Sequence, residues 1–224
     1  MPDLAKNRKS FMVAAFQAFD MNPHLACLLQ RAPALAPCLK DIQHVYETLR
    51  GSLASGGKLL ICGNGGSGAD AEHWAGELLK GFGQKRPLKG KQLEQLGSEL
   101  AGQLQGALPV IPLTGFLGLH TAWQNDCNPD HIYAQLTLGL GKPGDTLVGI
   151  STSGNSRNVA LALETANKLG LRTVALTGAG GGRAAQLAQA SIRVPSCETY
   201  IIQEFHLPIY HTLCLMLEEE FFPA

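Results

Sequence analysis

The sequence carries no surplus of charge: 18 lysines and arginines face 18 aspartates and glutamates, for a formal net charge of zero. Proteins that track nucleic acid or an anionic membrane surface need a basic excess, so neither partner is expected. No apolar run reaches the roughly 18 residues of a membrane span. The six cysteines, Cys27, Cys38, Cys62, Cys127, Cys197 and Cys214, form no CxxC pair. In a chain of 224 residues they read as reduced, mostly buried thiols of a cytoplasmic protein. The start, KNRKSFMVAAFQAF, faintly imitates a secretory signal, but Gln17 and Asp20 interrupt its apolar run and no small-residue cleavage site follows. There is no GxxxxGK[ST] phosphate loop, no internal repeat and no low-complexity tract.

What the sequence does contain is a series of short apolar runs: KLLIC (58–62), LPVIPLT (108–114), DTLVGI (145–150), TVALTG (173–178) and SIRVP (191–195). They are rich in valine, isoleucine and leucine without polar alternation, as parallel strands covered on both faces require. Helix-compatible stretches lie between them, most clearly NVALALETANKLG (158–170), which Gly170 stops. The alternation predicts an α/β fold, a three-layer αβα sandwich on a five-stranded parallel sheet. Residues 8–56 read as two helices split near RAPALAP, so 1–56 form a helical extension packed on a single domain of residues 57–224. Residues from about 200 to 221 predict a long helix with Pro208 in or near its first turns. The basic loop GQKRPLKGK precedes a further amphipathic helix on which Leu93, Leu96, Leu100 and Leu104 share one face.

Two of the predicted strands run into glycine- or serine-rich loops, CGNGGS and GISTSGNS, each followed by a good helix. In an open α/β sheet such loops face the ligand crevice, where helix N-termini offer unpaired N–H groups. The first loop supplies glycines for close approach and Ser67; the second supplies Ser151, Thr152, Ser153 and Ser156. For either loop alone, capping and turn formation explain the residues as well. Two such loops in one sheet point to a bound phosphate, and neither is read as a nucleotide motif. One turn apart on the helix after GNGGS stand His73 and Glu77. Such a pair can hold a zinc ion or be a plain surface hydrogen bond.

Together GNGGS…ADAEHWAGEL, GISTSGNSRNV and IQEFHLPIYH resemble the sugar isomerase (SIS) family, and within it the phosphoheptose isomerases, over nearly the whole chain from about residue 35. The resemblance implies a homotetrameric aldose–ketose isomerase that converts sedoheptulose 7-phosphate to a heptose 7-phosphate through an enediol. It implies that Ser151, Thr152, Ser153 and Ser156 hold the phosphate, with Asn64, Gly65, Gly66 and Ser67 lining the site. It also implies one zinc ion on His73, Glu77, Gln203 and His211, with Gln203 beside the substrate as well. Glu77 is then the candidate base at one carbon and His211 the acid/base at the other. Asp126 matches an aspartate that approaches the sugar, or is a helix cap or turn residue. The family aspartate three residues before the glutamine is Tyr200 here, and segment 84–107 is longer than in compact members. Gln203 and His211 lie about 12 Å apart along a straight helix. They can share a metal if Pro208 bends the segment, if Gln203 precedes the helix, or if two subunits build the site. Of the other histidines, His206 is expected to pack or to support the site, and His120 and His131 to flank the cleft. The competing readings are a non-catalytic SIS protein that binds a protein partner, as one relative binds the bacterial replication initiator, and a sugar-phosphate sensor.

Overall fold

The computed structural model describes residues 22–223; the first predicted helix, from residue 8, falls largely outside them. Asn22 caps α1 (Pro23–Arg31) by accepting from the His24 N–H, and Pro23 opens the helix where a missing N–H costs nothing. The prolines of RAPALAP then confine the chain to a 3-10 turn, Pro33–Cys38, before α2 (Leu39–Ala54). The expected split between two helices therefore lies at these prolines.

Five strands follow: β1 (Leu59–Gly63), β2 (Val110–Pro112), β3 (Thr146–Ile150), β4 (Arg172–Thr177) and β5 (Ala190–Arg193). All pair in parallel, in the order β2-β1-β3-β4-β5. Between them run α3 (Gly66–Leu79), α4 (Gly90–Ala101), α5 (Leu117–Asp126), α6 (Ile132–Leu140), α7 (Arg157–Lys168) and α8 (Gly182–Leu187), and α9 (Thr199–Phe221) closes the described chain. The three central strands, β1, β3 and β4, are buried on both faces, as their unbroken apolar composition predicts, and the edge strands β2 and β5 are partly covered. Leu59 and Ile61 enter one core with Ile42 of α2, Trp74 of α3 and Leu213 of α9. Leu60 and Cys62 enter the other with Tyr133 of α6 and Val159 of α7. The result is the expected three-layer α/β sandwich. The second strand is shorter than predicted because β2 is an edge strand ending at Pro112, where the chain turns into a 3-10 segment, Leu113–Gly115.

The amphipathic helix expected in 84–107 forms as α4, but its leucine face is not buried. Leu93, Leu96, Leu100 and Leu104 are all exposed. Gly97, at φ 74° and ψ 159°, breaks the helical repeat between the first two and the last two. The excursion is closed at its base, where Gly106 N–H donates to the Arg86 carbonyl at 2.7 Å.

That base holds the most consequential polar contact of the fold. Arg86 is fully buried and donates from Nε to Glu218 of α9 at 2.7 Å. Its other nitrogens cap the C-terminus of α3 by donating to the Leu78 and Glu77 carbonyls at 2.7 and 3.1 Å, which places positive charge at the negative end of the helix dipole. Glu218 also accepts the N–H groups of Phe82, Gly83 and Gln84 at 2.8, 2.7 and 3.1 Å. Burial alone would raise the Glu218 pKa, but the Phe82 N–H, Arg86 and the Gly83 N–H outweigh it and hold the carboxyl below its ordinary range.

Replacing Arg86 by Met is expected to cost about 3–5 kcal/mol, because Glu218 is left as a buried charge without its counter-ion. Urea unfolding measures this, and a loss below about 1 kcal/mol, the worth of an ordinary surface pair, would show that the pair does not anchor the fold. Since the folded pKa of Glu218 lies below the unfolded one, its contribution is complete above the unfolded value and is lost as pH falls through the folded one. The wild-type advantage over Arg86→Met should therefore shrink in acid.

Candidate active site

Helices α3 and α9 lie side by side and run in the same direction. Gln203 packs against Gly66, Tyr210 against Asp70 and His73, and Glu218 against the segment that follows α3. The pairing brings together three of the four residues implied as metal ligands. His73 Nε2 is 3.3 Å from Glu77 Oε1, and His211 Nε2 is 3.4 Å from His73 Nε2. Ligand bonds of about 2.0–2.2 Å in a tetrahedron set nitrogen and oxygen donors about 3.3–3.5 Å apart, so both edges fit a shared zinc ion. Two imidazoles and a carboxylate are zinc-ligand chemistry, although among the described residues no group of three or more His, Cys, Asp and Glu side chains is placed to hold a metal ion. Burial, and then the neighbouring His73, hold the His211 pKa below the ordinary imidazole value, which favours the neutral, lone-pair-bearing ring.

Gln203 stays apart from this trio. The helix continues through Pro208, so Gln203 lies inside α9 rather than before it, and its amide rests against the first turn of α3. A Cβ built on Gly66 would approach Gln203 Nε2 to 2.5 Å. His73, Glu77 and His211 are assembled within one chain; of the three routes by which Gln203 could share a metal with His211, a place ahead of the helix is not taken.

The two loops flank the point where the strand order reverses, between β1 and β3, which is where open α/β sheets hold ligands. They are tied together by Asn64 and Asn158, whose side-chain amides exchange two hydrogen bonds of 2.9 Å. Gly65 stands at φ 53° and ψ −122°, a conformation reserved for glycine. Gly63, Gly65 and Gly68 do have the spacing of a GxGxxG loop. A dinucleotide site also needs an acidic residue beyond the second strand, and β2 runs instead into Leu113, Thr114 and Gly115.

The serine-rich loop divides between two cavities. Ser156 and Asn64 help line the larger, of about 740 Å³, with His120, Tyr133, Arg157 and Asp130. Thr152 and Ser153 line a smaller one of about 190 Å³ beside Thr199 and Ile202 of α9. Ser151 is buried, its hydroxyl 3.0 Å from that of Ser156. The Ser153 hydroxyl oxygen accepts the Asn155 N–H at 3.1 Å, forming the local turn while leaving its own hydrogen free. Gly154 has φ 69°, and any Cβ there would strike the Gly181 carbonyl. Ser67 is buried and lines neither cavity.

Asp126 ends α5, exposed, and accepts from Asn125 at 2.8 Å. Its neighbour Gln124 lines the larger cavity instead. His120 flanks the cleft as expected, with Nε2 2.8 Å from the Leu113 carbonyl oxygen, whereas His131 does not line it. His206 is fully buried, and among the described residues neither ring nitrogen has a partner at hydrogen-bonding geometry. Burial lowers its pKa to about 4, against the raising effect of the Thr177 carbonyl. The pattern reading missed Asp70 and Tyr210, though Asp70 stands three residues before His73 and Tyr210 directly before His211.

Comparison with known proteins gives this arrangement its class. The SIS domain profile matches residues 99–178, and the chain is a sugar-phosphate isomerase of that family. Phosphoheptose isomerase from Akkermansia muciniphila is 40% identical over 189 residues, covering 84% of this chain and 90% of that protein. The Rhodospirillum rubrum phosphoheptose isomerase is 40% identical over 185 residues, 83% of this chain and 88% of the relative. The structure of phosphoheptose isomerase from Neisseria gonorrhoeae superposes with a TM-score of 0.70 at 31% identity, covering 94% of this chain and 98% of that one. The chain therefore belongs to the phosphoheptose isomerase family.

Since one chain supplies both residues, mixing inactive Glu77→Gln and His211→Ala proteins should restore no activity once subunits have exchanged. Every site would keep one lesion. Recovered turnover would show instead that Glu77 and His211 of a working site come from different chains.

Proposed function

We propose that the enzyme is a metal-dependent isomerase that interconverts sedoheptulose 7-phosphate and a heptose 7-phosphate through an enediol. The convergence of His73, Glu77 and His211 carries this reading. The isomerisation moves a proton between adjacent carbons, which needs a base beside one carbon and an acid/base beside the next. Glu77 takes the first role. Its Oε1 faces His73, and Lys80 donates to Oε2 at 3.0 Å, so both carboxylate oxygens are engaged. His211, neutral near pH 7, takes the second. His73, Glu77 and His211 would hold a zinc ion, which on binding supplies a Lewis acid for the substrate carbonyl.

The phosphate end is assigned to the loops after β1 and β3. Gly66 and His73 are separated by about 10 Å of helix, comparable with the reach of an extended seven-carbon sugar phosphate from its phosphate to its carbonyl. Neutral hydroxyls and helix N-terminal N–H groups there can hold an oxyanion without a fixed cation.

Assembly into a homotetramer belongs to the same proposal. Tyr200 and Leu207, exposed by 63% and 38%, lie on the face of α9 that also carries Gln203 and His211. A second copy laid on that face would shelter the site from water and bring further groups to it. All six cysteines are free thiols, which fits a reducing, cytoplasmic setting.

A panel of phosphorylated and unphosphorylated sugars tests the substrate, with metal content measured on the same preparation. Turnover of sedoheptulose 7-phosphate, loss of that turnover in Glu77→Gln and zinc loss in His73→Ala are expected. Ser153→Ala should weaken sugar-phosphate binding by about 1–2 kcal/mol. Equal affinity for phosphorylated and unphosphorylated sugars would overturn the phosphate assignment.

A further inference from the structure

Behind His73 lies a polar relay that the isomerase chemistry leaves unused. The Tyr210 hydroxyl is 3.2 Å from Asp70 Oδ1 and 3.0 Å from His73 Nδ1. The phenol is fully buried and stacks on Trp74, with centroids 5.5 Å apart and planes 16° from parallel. Its edge meets the rings of His73 and His211. Among the described residues Asp70 Oδ2 is buried without a partner, and Tyr210 is the side chain that binds this carboxyl group.

A phenol has one hydrogen to give, and the two neighbours compete for it. The phenol is buried and, like any tyrosine near neutral pH, carries its hydrogen. An ionised carboxylate only accepts, and a charge-assisted bond is the stronger of the two available. The phenolic hydrogen therefore goes to Asp70. The oxygen then turns a lone pair toward His73, and a favourable contact at 3.0 Å requires His73 Nδ1 to carry a hydrogen. With Nδ1 committed, the lone pair of the neutral ring is on Nε2, the atom that faces both Glu77 and His211.

We propose that Asp70 and Tyr210 are positioning residues that fix the tautomer and ring angle of His73, with Asp70 orienting the Tyr210 hydroxyl and that hydroxyl accepting from His73 Nδ1. The part of this inference that concerns metal rests on the metal-dependent reading above; the direction of the hydrogen bonds does not. Imidazole ligands are commonly held through their second nitrogen in this way, and loss of the outer group typically weakens metal affinity 10–100-fold. Here the outer group is a tyrosine from a different helix, so the relay also sets the rotation of α9 against α3.

Tyr210→Phe removes only the hydroxyl and keeps the stack on Trp74; Asp70→Ala removes the other end of the relay. Nitrogen NMR of the His73 ring in metal-free protein, assigned with His73→Gln, should show a hydrogen on Nδ1, and the bias should be lost in Tyr210→Phe. Zinc affinity, measured by competition with a chelator, should fall about 10–100-fold in both variants, with thermal melts confirming that both fold. A hydrogen on Nε2 alone in the unmodified protein would reverse the relay and overturn the proposal. So would unchanged zinc affinity in both variants. If the unmodified protein binds no zinc, the metal-dependent reading fails by itself, and the state of Nδ1 still decides the relay.

Discussion

The buried pair of Arg86 and Glu218 fixes the relation between the two helices that build the active site. Glu218 lies seven residues beyond His211 on α9, about 10 Å along the helix. Arg86 binds the backbone carbonyl of Glu77 itself at 3.1 Å and that of Leu78 at 2.7 Å. The guanidinium therefore grips the end of α3 at the proposed base, while its counter-ion grips α9 downstream of the proposed acid. Such a pair gains little net stability over well-packed apolar side chains, since desolvation offsets much of the attraction. What it supplies is registry. A slip of α9 by one turn would leave two buried charges unpaired, and no apolar contact penalises a slip so steeply.

The sheet supplies the second constraint. Lys58 and Asp145, at the starts of β1 and β3, are held together by a side-chain ion pair and by Asp145 accepting the Lys58 N–H at 2.9 Å. With Leu59 opposite Thr146 and Gly63 opposite Ile150, both strands end level, and their loops emerge beside each other. The Asn64–Asn158 amide pair then joins the two loops directly. A ligand binding between them meets a nearly pre-formed floor, so little of its binding free energy is lost to ordering the protein.

The fold was legible because its strands are buried on both faces, which writes continuous apolar runs into the sequence. Loop chemistry was legible for the same local reason: glycine and serine after a strand mark the crevice of any open α/β sheet. Arg86 was not legible, because it sits within a run of basic residues whose neighbours Lys85, Lys89 and Lys91 are exposed. Nothing local distinguishes the one cation that turns inward; its partner lies 132 residues away. Gln203 shows the opposite limit. Family likeness grouped it with His211, but helical rise alone forbids the two from meeting within one helix, and the structure obeys the geometry.

Tyr200 and Tyr210 occupy opposite environments on α9, one exposed and one buried. Tyr200, where the family carries an aspartate, stands exposed at the open end near the smaller cavity. It exchanges a charged contact for an amphipathic ring, whose flat face can lie against a sugar or a neighbouring chain. Tyr210 is buried beside the proposed metal ligands and joins Asp70 to His73. The two tyrosines are ten residues apart, about 15 Å of helix, so a substitution at Tyr200 leaves the Tyr210–His73 contact undisturbed. Under the proposed reading, specificity and reactivity share one rigid element at positions too distant to interfere, so that one can vary while the other stays fixed.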